Sequence, residues 1–413
     1  MKLRPLNRPE SAFWLFDRVS SMNFAVLALG HGSIDESAIG RAIDNARNRR
    51  EMASVSIVVQ ENGQLNFVPA ATKASFKATN GDWKTLLGAD LIEPFAELAP
   101  LWRVVLYKDL EAWALAVIFH HSIADGRSAM CFLKDFLEDL DHAPGNQIQT
   151  RTIMSDVFSD AKREGTAPAG KKTQALPWFS KRTAPPTPAL LSFALSQSES
   201  QKLLQAARAN GVTVHGWIAA SQLLATNAMF ETQEERQLGI STPIDYRKYV
   251  NTADIDSLWF CISLITSTLA VDGSRFLDVA REVSNDIKEQ VLAGQGLRFY
   301  DSLPEPAQLI SKPDGIKLFT LLMQRLPQAS VLSNVGIVQE PDLQNLKVDR
   351  ICFTVHPTIA QPIFVTATTY KDELNFVLNY DSNRWPRKIA ERFANEFRQN
   401  LTLPRQRVES QNP

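Results

Sequence analysis

Cysteine is scarce in this chain, with three residues among 413. Cys131, Cys261 and Cys352 lie far apart and form no CxxC pair, so the sequence indicates neither a disulfide framework nor a structural zinc site. Each has apolar neighbours, which predicts buried and unreactive thiols. Free thiols of this kind are typical of proteins from a reducing compartment.

Charge of one sign is not in excess either. Lys and Arg together number 44 and Asp and Glu number 45, which gives a formal net charge of -1. A protein that binds nucleic acid through its phosphates needs a basic face. The composition therefore argues against a nucleic-acid partner.

Long apolar runs are also absent from the sequence. The longest, residues 112–119, suits a buried strand and is much shorter than the about 20 residues of a membrane-spanning helix. The N-terminus has charges and prolines where a signal peptide has an apolar core. We therefore expect a cytoplasmic protein without a transmembrane segment.

Metal and nucleotide motifs are missing too. None of the six histidines stands at metal-ligand spacing with another His, Cys or carboxylate, so no metal is predicted. His215 lies in an apolar helical pattern, and His31 and His356 end predicted strands, which favours structural roles for these three. The sequence has no glycine-rich phosphate loop, which argues against a nucleotide cofactor.

Strand and helix patterns occur in both halves of the chain. Between them, residues 143–188 are rich in Gly, Pro, Lys and Thr and lose periodicity, which is typical of a linker. We predict an α+β protein with an N-terminal lobe over residues 1–142, a linker or crossover over 143–188, and a C-terminal lobe over 189–413. Both lobes are expected to hold mixed, mostly antiparallel sheets with covering helices.

Turn and capping residues mark several element boundaries. Asn62-Gly63 and Lys371-Asp372 each predict a β-hairpin between short strands. Ser196, with Glu199 three residues later, has the spacing of a capping box and predicts the start of a helix. The apolar pattern over residues 305–324 predicts one continuous helix.

One motif in the sequence indicates a catalytic function. The sequence HHSIADG, residues 120–126, follows the apolar strand and precedes an amphipathic helix over 128–140. A chance match to two histidines, three residues and Asp-Gly is expected on the order of once in several thousand such chains. An imidazole with an ordinary pKa of roughly 6.5 can remove a proton from a hydroxyl or amine near neutral pH. The alternative is a pair of loop histidines beside a turn-forming Asp-Gly.

This segment resembles the HHxxxDG signature of the chloramphenicol acetyltransferase-like superfamily, which includes the condensation domains of nonribosomal peptide synthetases. TPIDYR at 242–247 is similar to its Pro-x-Asp-x-Arg segment, and LSNVG at 332–336 resembles its Ser-Asn-x-Gly stretch. The order of these motifs and the total length match the superfamily over nearly the whole chain. Among its members, the sequence most resembles the alcohol O-acetyltransferases and the polyketide-associated acyltransferases. The sequences DFGWG and NVPGP are absent, which argues against the plant-type branch and against wax ester synthases.

The resemblance implies two lobes of the chloramphenicol acetyltransferase type, with an active-site tunnel where they meet. It implies that His121 is the general base and that His120 is structural, with its ring turned away. Asp125 would also be structural and would pair with an arginine, for which Arg247 is the candidate. Alternatively, Asp245 is the local partner of Arg247.

Three further roles are implied by the resemblance. Gly126 would allow the backbone to turn tightly after the motif. Ser333 and Asn334 would donate hydrogen bonds to the thioester oxyanion, and one well-placed donor is worth on the order of 3 kcal/mol. The alternative for these two residues is a strand bend that contains asparagine.

The activity implied by the resemblance is transfer of an acyl group from a thioester, either acyl-CoA or an acyl carrier protein, to an alcohol. Attack would be direct, without an acyl-enzyme or a cofactor beyond the thioester co-substrate, in lipid or secondary-metabolite biosynthesis. No adenylation or carrier segment follows in the sequence, so we expect a free-standing enzyme, and the family implies a monomer. Two alternatives stay open: a condensation enzyme that forms an amide with an amine, and a catalytically silent protein that binds a lipid or a carrier protein.

Overall fold

The computed structural model describes seven ranges of the chain: residues 4–142, 173–179, 186–232, 234–247, 257–273, 275–326 and 328–402. Most of the predicted linker at 143–188 lies outside these ranges, so its boundaries stay a prediction. Within the described ranges, no helix combines the length and the apolar character that crossing a membrane requires.

The strands of these ranges form two large sheets and one hairpin. In chain order they are β1 (Asn23–His31), β2 (Val55–Val59), β3 (Leu65–Pro69), β4 (Phe76–Asn80), β5 (Trp102–Asp109), β6 (Ala112–His120), β7 (Pro188–Leu195), β8 (Arg236–Asp245), β9 (Ile262–Val271), β10 (Ser330–Ile337), β11 (Lys347–Val355), β12 (Ile363–Tyr370) and β13 (Glu373–Asp381). The first sheet has the order β11-β1-β6-β5-β4, the second β7-β13-β12-β10-β8-β9, and β2 pairs with β3. Three neighbouring pairs are parallel (β4–β5, β8–β10 and β10–β12) and the others are antiparallel. The predicted α+β fold with mixed, mostly antiparallel sheets is confirmed.

Helices cover both sheets. In chain order they are α1 (Arg8–Asp17), α2 (Glu36–Arg49), α3 (Trp83–Ile92), α4 (Gly126–Asp141), α5 (Gln197–Ala209), α6 (Val214–Asn227), α7 (Phe276–Leu292), α8 (Gln295–Asp301), α9 (Pro306–Ile310), α10 (Gly315–Arg325) and α11 (Arg387–Thr402). The predicted capping box is present at α5, where Ser196 and Glu199 each accept from the other's backbone amide. Both hairpins also form where the sequence predicted them.

The first sheet is buried on both faces because its central strands are apolar throughout. Side chains alternate between the faces of a strand, so Phe24 packs in one core with Phe132 of α4. Leu27, three residues further along β1, packs on the other face with Leu87 of α3. Strand β6 runs through the middle of this sheet and ends at His120.

Strand β11 belongs to the C-terminal part of the chain but completes the first sheet. It pairs with β1 in antiparallel register, with Leu27 opposite Cys352. The next strand along the chain, β12, lies in the second sheet. Residues 356–362 therefore pass directly from one lobe to the other.

The second sheet has its own core. Strands β12 and β13 and helices α6 and α11 contribute buried apolar side chains to it, among them Trp217, Val365, Phe376 and Phe397. Helix α6 is buried almost along its whole length. Each of the two large sheets thus packs against its own apolar core.

The sequence prediction differs from the structure in several elements. The single helix predicted over 305–324 is wrong, because α9 ends at Ile310 and α10 begins at Gly315. Pro313 between them has no backbone N–H for helix hydrogen bonding, and a side chain at Gly315 would collide with the carbonyl oxygen of Leu309. Elements α1, α3, α8 and β4 were not predicted.

Candidate active site

His121 stands directly after β6, in the turn that leads into α4. Its backbone amide bonds to the carbonyl of Met22 at 3.2 Å, which fixes the turn to the end of β1. Three phenylalanine rings surround the imidazole, with ring centroids at 4.7 Å for Phe13, 4.5 Å for Phe24 and 5.6 Å for Phe260. The imidazole is thus held in an apolar setting from three elements.

The hydrogen bonding of His121 sets its tautomer. Nδ1 lies 2.8 Å from the carbonyl oxygen of Ala124, which can only accept, so Nδ1 carries the proton. Nε2 then has the lone pair, and no described residue is hydrogen-bonded to it. Burial lowers the pKa of His121 to about 4, against the opposing effect of Asp125, so the ring is neutral near pH 7.

His120 faces away from this arrangement and is buried. Its Nδ1 accepts from the backbone amide of Ser122 at 3.1 Å, so the proton lies on Nε2. Nε2 is 3.7 Å from the carboxylate of Asp17. The two neighbouring histidines therefore have opposite tautomers, and the contacts of His120 hold the turn.

Asp125 is fully buried and forms the N-cap of α4. Its carboxylate accepts from the backbone amides of Ser128 at 3.0 Å and Cys261 at 2.8 Å. Burial raises the pKa of Asp125, but the charge and hydrogen bonds of Arg247, with these amides, outweigh burial and lower it. Asp125 therefore stays ionised and joins three segments of the chain.

Arg247 makes the bidentate pair with Asp125, with N–O distances of 2.8 and 3.1 Å. The alternative partner is also present, since Asp245 lies 3.1 Å from the same guanidinium. The guanidinium stacks over the ring of Trp259 at 5.0 Å. Both carboxylates raise the pKa of Arg247 despite its burial, so the cluster is an ionised, buried network.

Gly126 comes directly after Asp125, and its role in a tight turn stays a prediction. It is the first residue of α4, and its φ lies outside the left-handed range. A Cβ at this position would lie 3.0 Å from Cγ1 of Val335 and 3.8 Å from Cε2 of Phe353. A side chain at Gly126 would therefore require Val335 to shift slightly.

Ser333 and Asn334 lie on β10, opposite Thr366 and Ala367 of β12. The side-chain oxygen of Asn334 accepts from the amide of Gly336 at 2.9 Å, which is the bend that the sequence offered as the alternative. Neither residue is among those that line the cavity beside His121. Their role at an oxyanion stays a prediction.

A cavity of about 550 Å³ lies between the two sheets, with His121 in its wall. The lining is mostly apolar, as is typical of pockets for small molecules. Residues from both lobes and from the covering helices contribute to it, including Phe13, Phe16, Met22, Tyr300, Met323 and Phe364. The sequence did not reveal these residues, because α1 and α8 were not predicted and the others belong to ordinary apolar patterns.

The other histidines and the cysteines have separate settings. His356 is buried in the cavity wall, 3.5 Å from the hydroxyl of Ser20, and burial lowers its pKa to about 4. His215 bonds to Thr242 at 3.1 Å, and burial lowers its pKa to about 4 as well. Burial raises the pKa of the thiol of Cys352 to about 12, which suits an unreactive side chain.

A protein-family model matches part of the chain. Residues 184–382 match the family model described as phthiocerol/phthiodiolone dimycocerosyl transferase C-terminus. No curated protein sequence matches the chain.

Solved structures share the fold over nearly the whole chain. Polyketide synthase associated protein 5 from Mycobacterium tuberculosis has a TM-score of 0.68 at 14% identity, covering 97% of this chain and 98% of that one. Trichothecene 15-O-acetyltransferase from Fusarium sporotrichioides has a TM-score of 0.71 at 13% identity, covering 98% and 95%. The condensation domain of the Monacolin K polyketide synthase has a TM-score of 0.68 at 12% identity, covering 98% and 99%.

These structures define a two-lobed protein with the chloramphenicol acetyltransferase-like fold. Together with the family match over residues 184–382, they confirm the resemblance of this chain to chloramphenicol acetyltransferase-like and condensation-domain proteins.

Proposed function

We propose that the protein transfers an acyl group from a thioester to a hydroxyl group by direct attack, with His121 as general base. The observation that carries the proposal is the tautomer of His121. Because Nδ1 donates to Ala124, the lone pair of Nε2 is available in the wall of a mostly apolar cavity. A neutral imidazole in that position can accept the proton of a bound hydroxyl.

The proposed reaction balances within this site. Nε2 of His121 takes the proton of the acceptor hydroxyl as its oxygen forms a bond to the thioester carbonyl carbon. The carbon–sulfur bond then breaks, and the imidazolium returns the proton to the thiolate. Holding both reactants in one cavity supplies much of the rate, since a bimolecular step becomes effectively unimolecular.

The buried ion pair would hold this base in place. Ala124, whose carbonyl fixes the ring of His121, is the residue before Asp125, and Asp125 is fixed by Arg247. A change in the ion pair would therefore move the carbonyl that sets the tautomer. On this proposal Asp125 and Arg247 are positioning residues, and Ser333 and Asn334 are the candidates for stabilising the oxyanion.

The biosynthetic setting is proposed from the comparisons. The matched family is named for a dimycocerosyl transferase, and one structural neighbour is named for polyketide synthesis. A second neighbour is named as an O-acetyltransferase, which favours an ester product. We propose acyl transfer in lipid or polyketide biosynthesis, with acyl-CoA or an acyl carrier protein as donor, without a further cofactor and in the cytoplasm.

The first experiment is a thiol-release assay with acyl-CoA donors from acetyl to palmitoyl. We expect His121→Ala to lose about 10²–10⁴-fold in turnover, which is the usual contribution of a general base. His215→Ala is the matched control, because it removes a histidine of similarly lowered pKa that does not line the cavity. Equal turnover by wild type and His121→Ala would remove His121 as the base. If neither protein turns over acyl-CoA, the same comparison is made with acyl carrier protein donors.

The amide-forming alternative keeps the same site and changes the acceptor. Panels of alcohols and amines with one acyl donor separate the two, because the product is an ester in one case and an amide in the other. Mass spectrometry of the product identifies the bond. A binding protein without catalysis would retain the acyl ligand and form neither product with any donor. A stable acyl adduct on Ser333 or Cys131 would contradict direct attack.

A further inference from the structure

Helix α10 forms part of the cavity wall. On its inner side, Phe319 and Met323 are buried, and Met323 lines the cavity. The ring of Phe319 lies 5.5 Å from that of Phe16, which lines the same cavity. The inner side of α10 is thus packed against the apolar interior.

The outer face of α10 is apolar as well. Leu318, Leu321 and Leu322 are 53%, 47% and 37% exposed. Their spacing of three and four residues places them on one face of the helix. Single exposed leucines are ordinary, but a row on one helix next to a buried apolar face marks an interaction surface.

Basic residues accompany this row. Lys312, Lys317 and Arg325 are exposed, and none of them has an ion pair with a residue of the described ranges. Asp314 is the single acidic residue between positions 312 and 326. The segment therefore offers apolar side chains together with an excess of positive charge.

We propose that α10 binds the surface of an anionic lipid bilayer. The leucines would enter the boundary between headgroups and acyl chains, and the basic side chains would contact lipid phosphates. Leucines flanked by unpaired cations fit this partner, because one helix then satisfies both the apolar layer and the charged layer. A short helix with three leucines gives reversible binding, which suits an enzyme that exchanges substrate.

The experiment is sedimentation of the full chain with vesicles of phosphatidylcholine alone and of phosphatidylcholine with phosphatidylglycerol. We expect binding to the anionic vesicles that weakens with salt, since charge attraction to the surface is screened. Leu318→Gln with Leu321→Gln should abolish this binding. The matched control is Ile92→Gln with Leu204→Gln, which changes two comparably exposed residues on α3 and α5.

A charge variant tests the second part of the surface. Each basic residue near an anionic bilayer contributes about fivefold to partitioning, so Lys317→Gln with Arg325→Gln should weaken binding about 25-fold. Lys202→Gln with Lys288→Gln is the control of equal charge, and both of these lysines are exposed elsewhere. Thermal unfolding checks that each variant is folded, and the charge variant stands as the test if the leucine variant is not.

Three results would overturn the proposal. They are absence of binding to anionic vesicles, equal binding by wild type and the variants, and loss of binding to an acyl carrier protein without any effect on vesicles. Vesicle binding requires no turnover, so it is independent of the proposed acyl transfer. The leucine variant should keep the wild-type rate with a water-soluble alcohol, whereas His121→Ala should bind vesicles and lose activity.

Discussion

Removing one partner of the buried pair between Asp125 and Arg247 should destabilise the protein strongly. Their side chains are 0% and 3% exposed, and the pair is bidentate. In Arg247→Ala, Asp125 keeps the backbone amides of Ser128 and Cys261 but loses its buried countercharge. Leaving a charge buried without its partner costs about 3–5 kcal/mol.

The loss of unfolding free energy in Arg247→Ala should depend on pH in a defined direction. The pKa of Asp125 is lowered in the folded protein, so its ionisation contributes stability above the unfolded pKa and loses that contribution on acidification. In Arg247→Ala the pKa of Asp125 should rise. The difference in unfolding free energy between wild type and variant should therefore be largest near neutral pH and should narrow as the pH falls from the raised pKa of Asp125 in the variant toward its lowered pKa in the wild type.

Urea unfolding followed by tryptophan fluorescence measures these differences. Replacing both partners, by Asp125→Asn with Arg247→Met, should cost less than Arg247→Ala, because no unpaired charge then stays buried and the Asn side-chain oxygen can still accept from the backbone amides at this position. Arg275→Ala is the control, since Arg275 makes an exposed ion pair with Asp278 that is worth at most about 1 kcal/mol. If Arg247→Ala is no less stable than Arg275→Ala, the reasoning about burial is refuted.

Three further predictions follow from the same geometry. The acid limb of kcat/KM should lie near pH 4, where His121 titrates, and a pH–rate profile with a limb near 6.5 would contradict this. The lowered pKa values of His215 and His356 mean that unfolding takes up protons, so the melting temperature should fall between pH 6.5 and pH 4, and a constant value would contradict this. Gly126→Leu should cost about 1–3 kcal/mol in urea unfolding because a valine methyl lies 3.0 Å from its Cβ. Gly40→Leu should not lower the free energy of unfolding in this way, because no atom lies within 4 Å of a Cβ at that position.

Local signals made much of the fold predictable. Apolar runs marked β1 and β6, and the capping box of Ser196 and Glu199 placed the start of α5 to the residue. The two hairpins depended on turn residues that adopt positive φ, namely Gly63, Lys371 and Asp372. Such features are encoded within a few residues, so a single sequence is sufficient to read them.

Other elements could not be predicted, because they depend on contacts between residues that lie far apart in the chain. Strand β4 has an exposed and polar pattern, and its only marker is parallel pairing with β5 at the sheet edge. Helix α1 had a readable signal, since Asn7 and Glu10 form a capping box. The break near Pro313 was hidden because the apolar spacing continues through it.

The candidate site also combines features that a local sequence pattern indicates with features that depend on distant parts of the chain. The resemblance of the motif implied that Asp125 pairs with an arginine, and the structure places Asp125 and Arg247, 122 positions apart, in one ion pair. The rings around His121 were not predictable, because Phe13, Phe24 and Phe260 come from three separate segments. The sequence thus provided candidates for the site residues, but it did not provide the environment that sets the pKa of His121.

The two lobes are joined in ways that limit how substrate can reach His121. Strand β11 pairs along its length with β1 of the N-terminal strands, and residues 356–362 continue from it into β12 of the other sheet. The buried pair of Asp125 and Arg247 joins the start of α4 to the end of β8. Wide separation of the lobes would break this ion pair, and a buried charge is costly to leave without its partner. On the proposed function, substrate would therefore reach the cavity with the lobes held together, and α10, which contributes Met323 to the cavity wall, has apolar side chains on both faces.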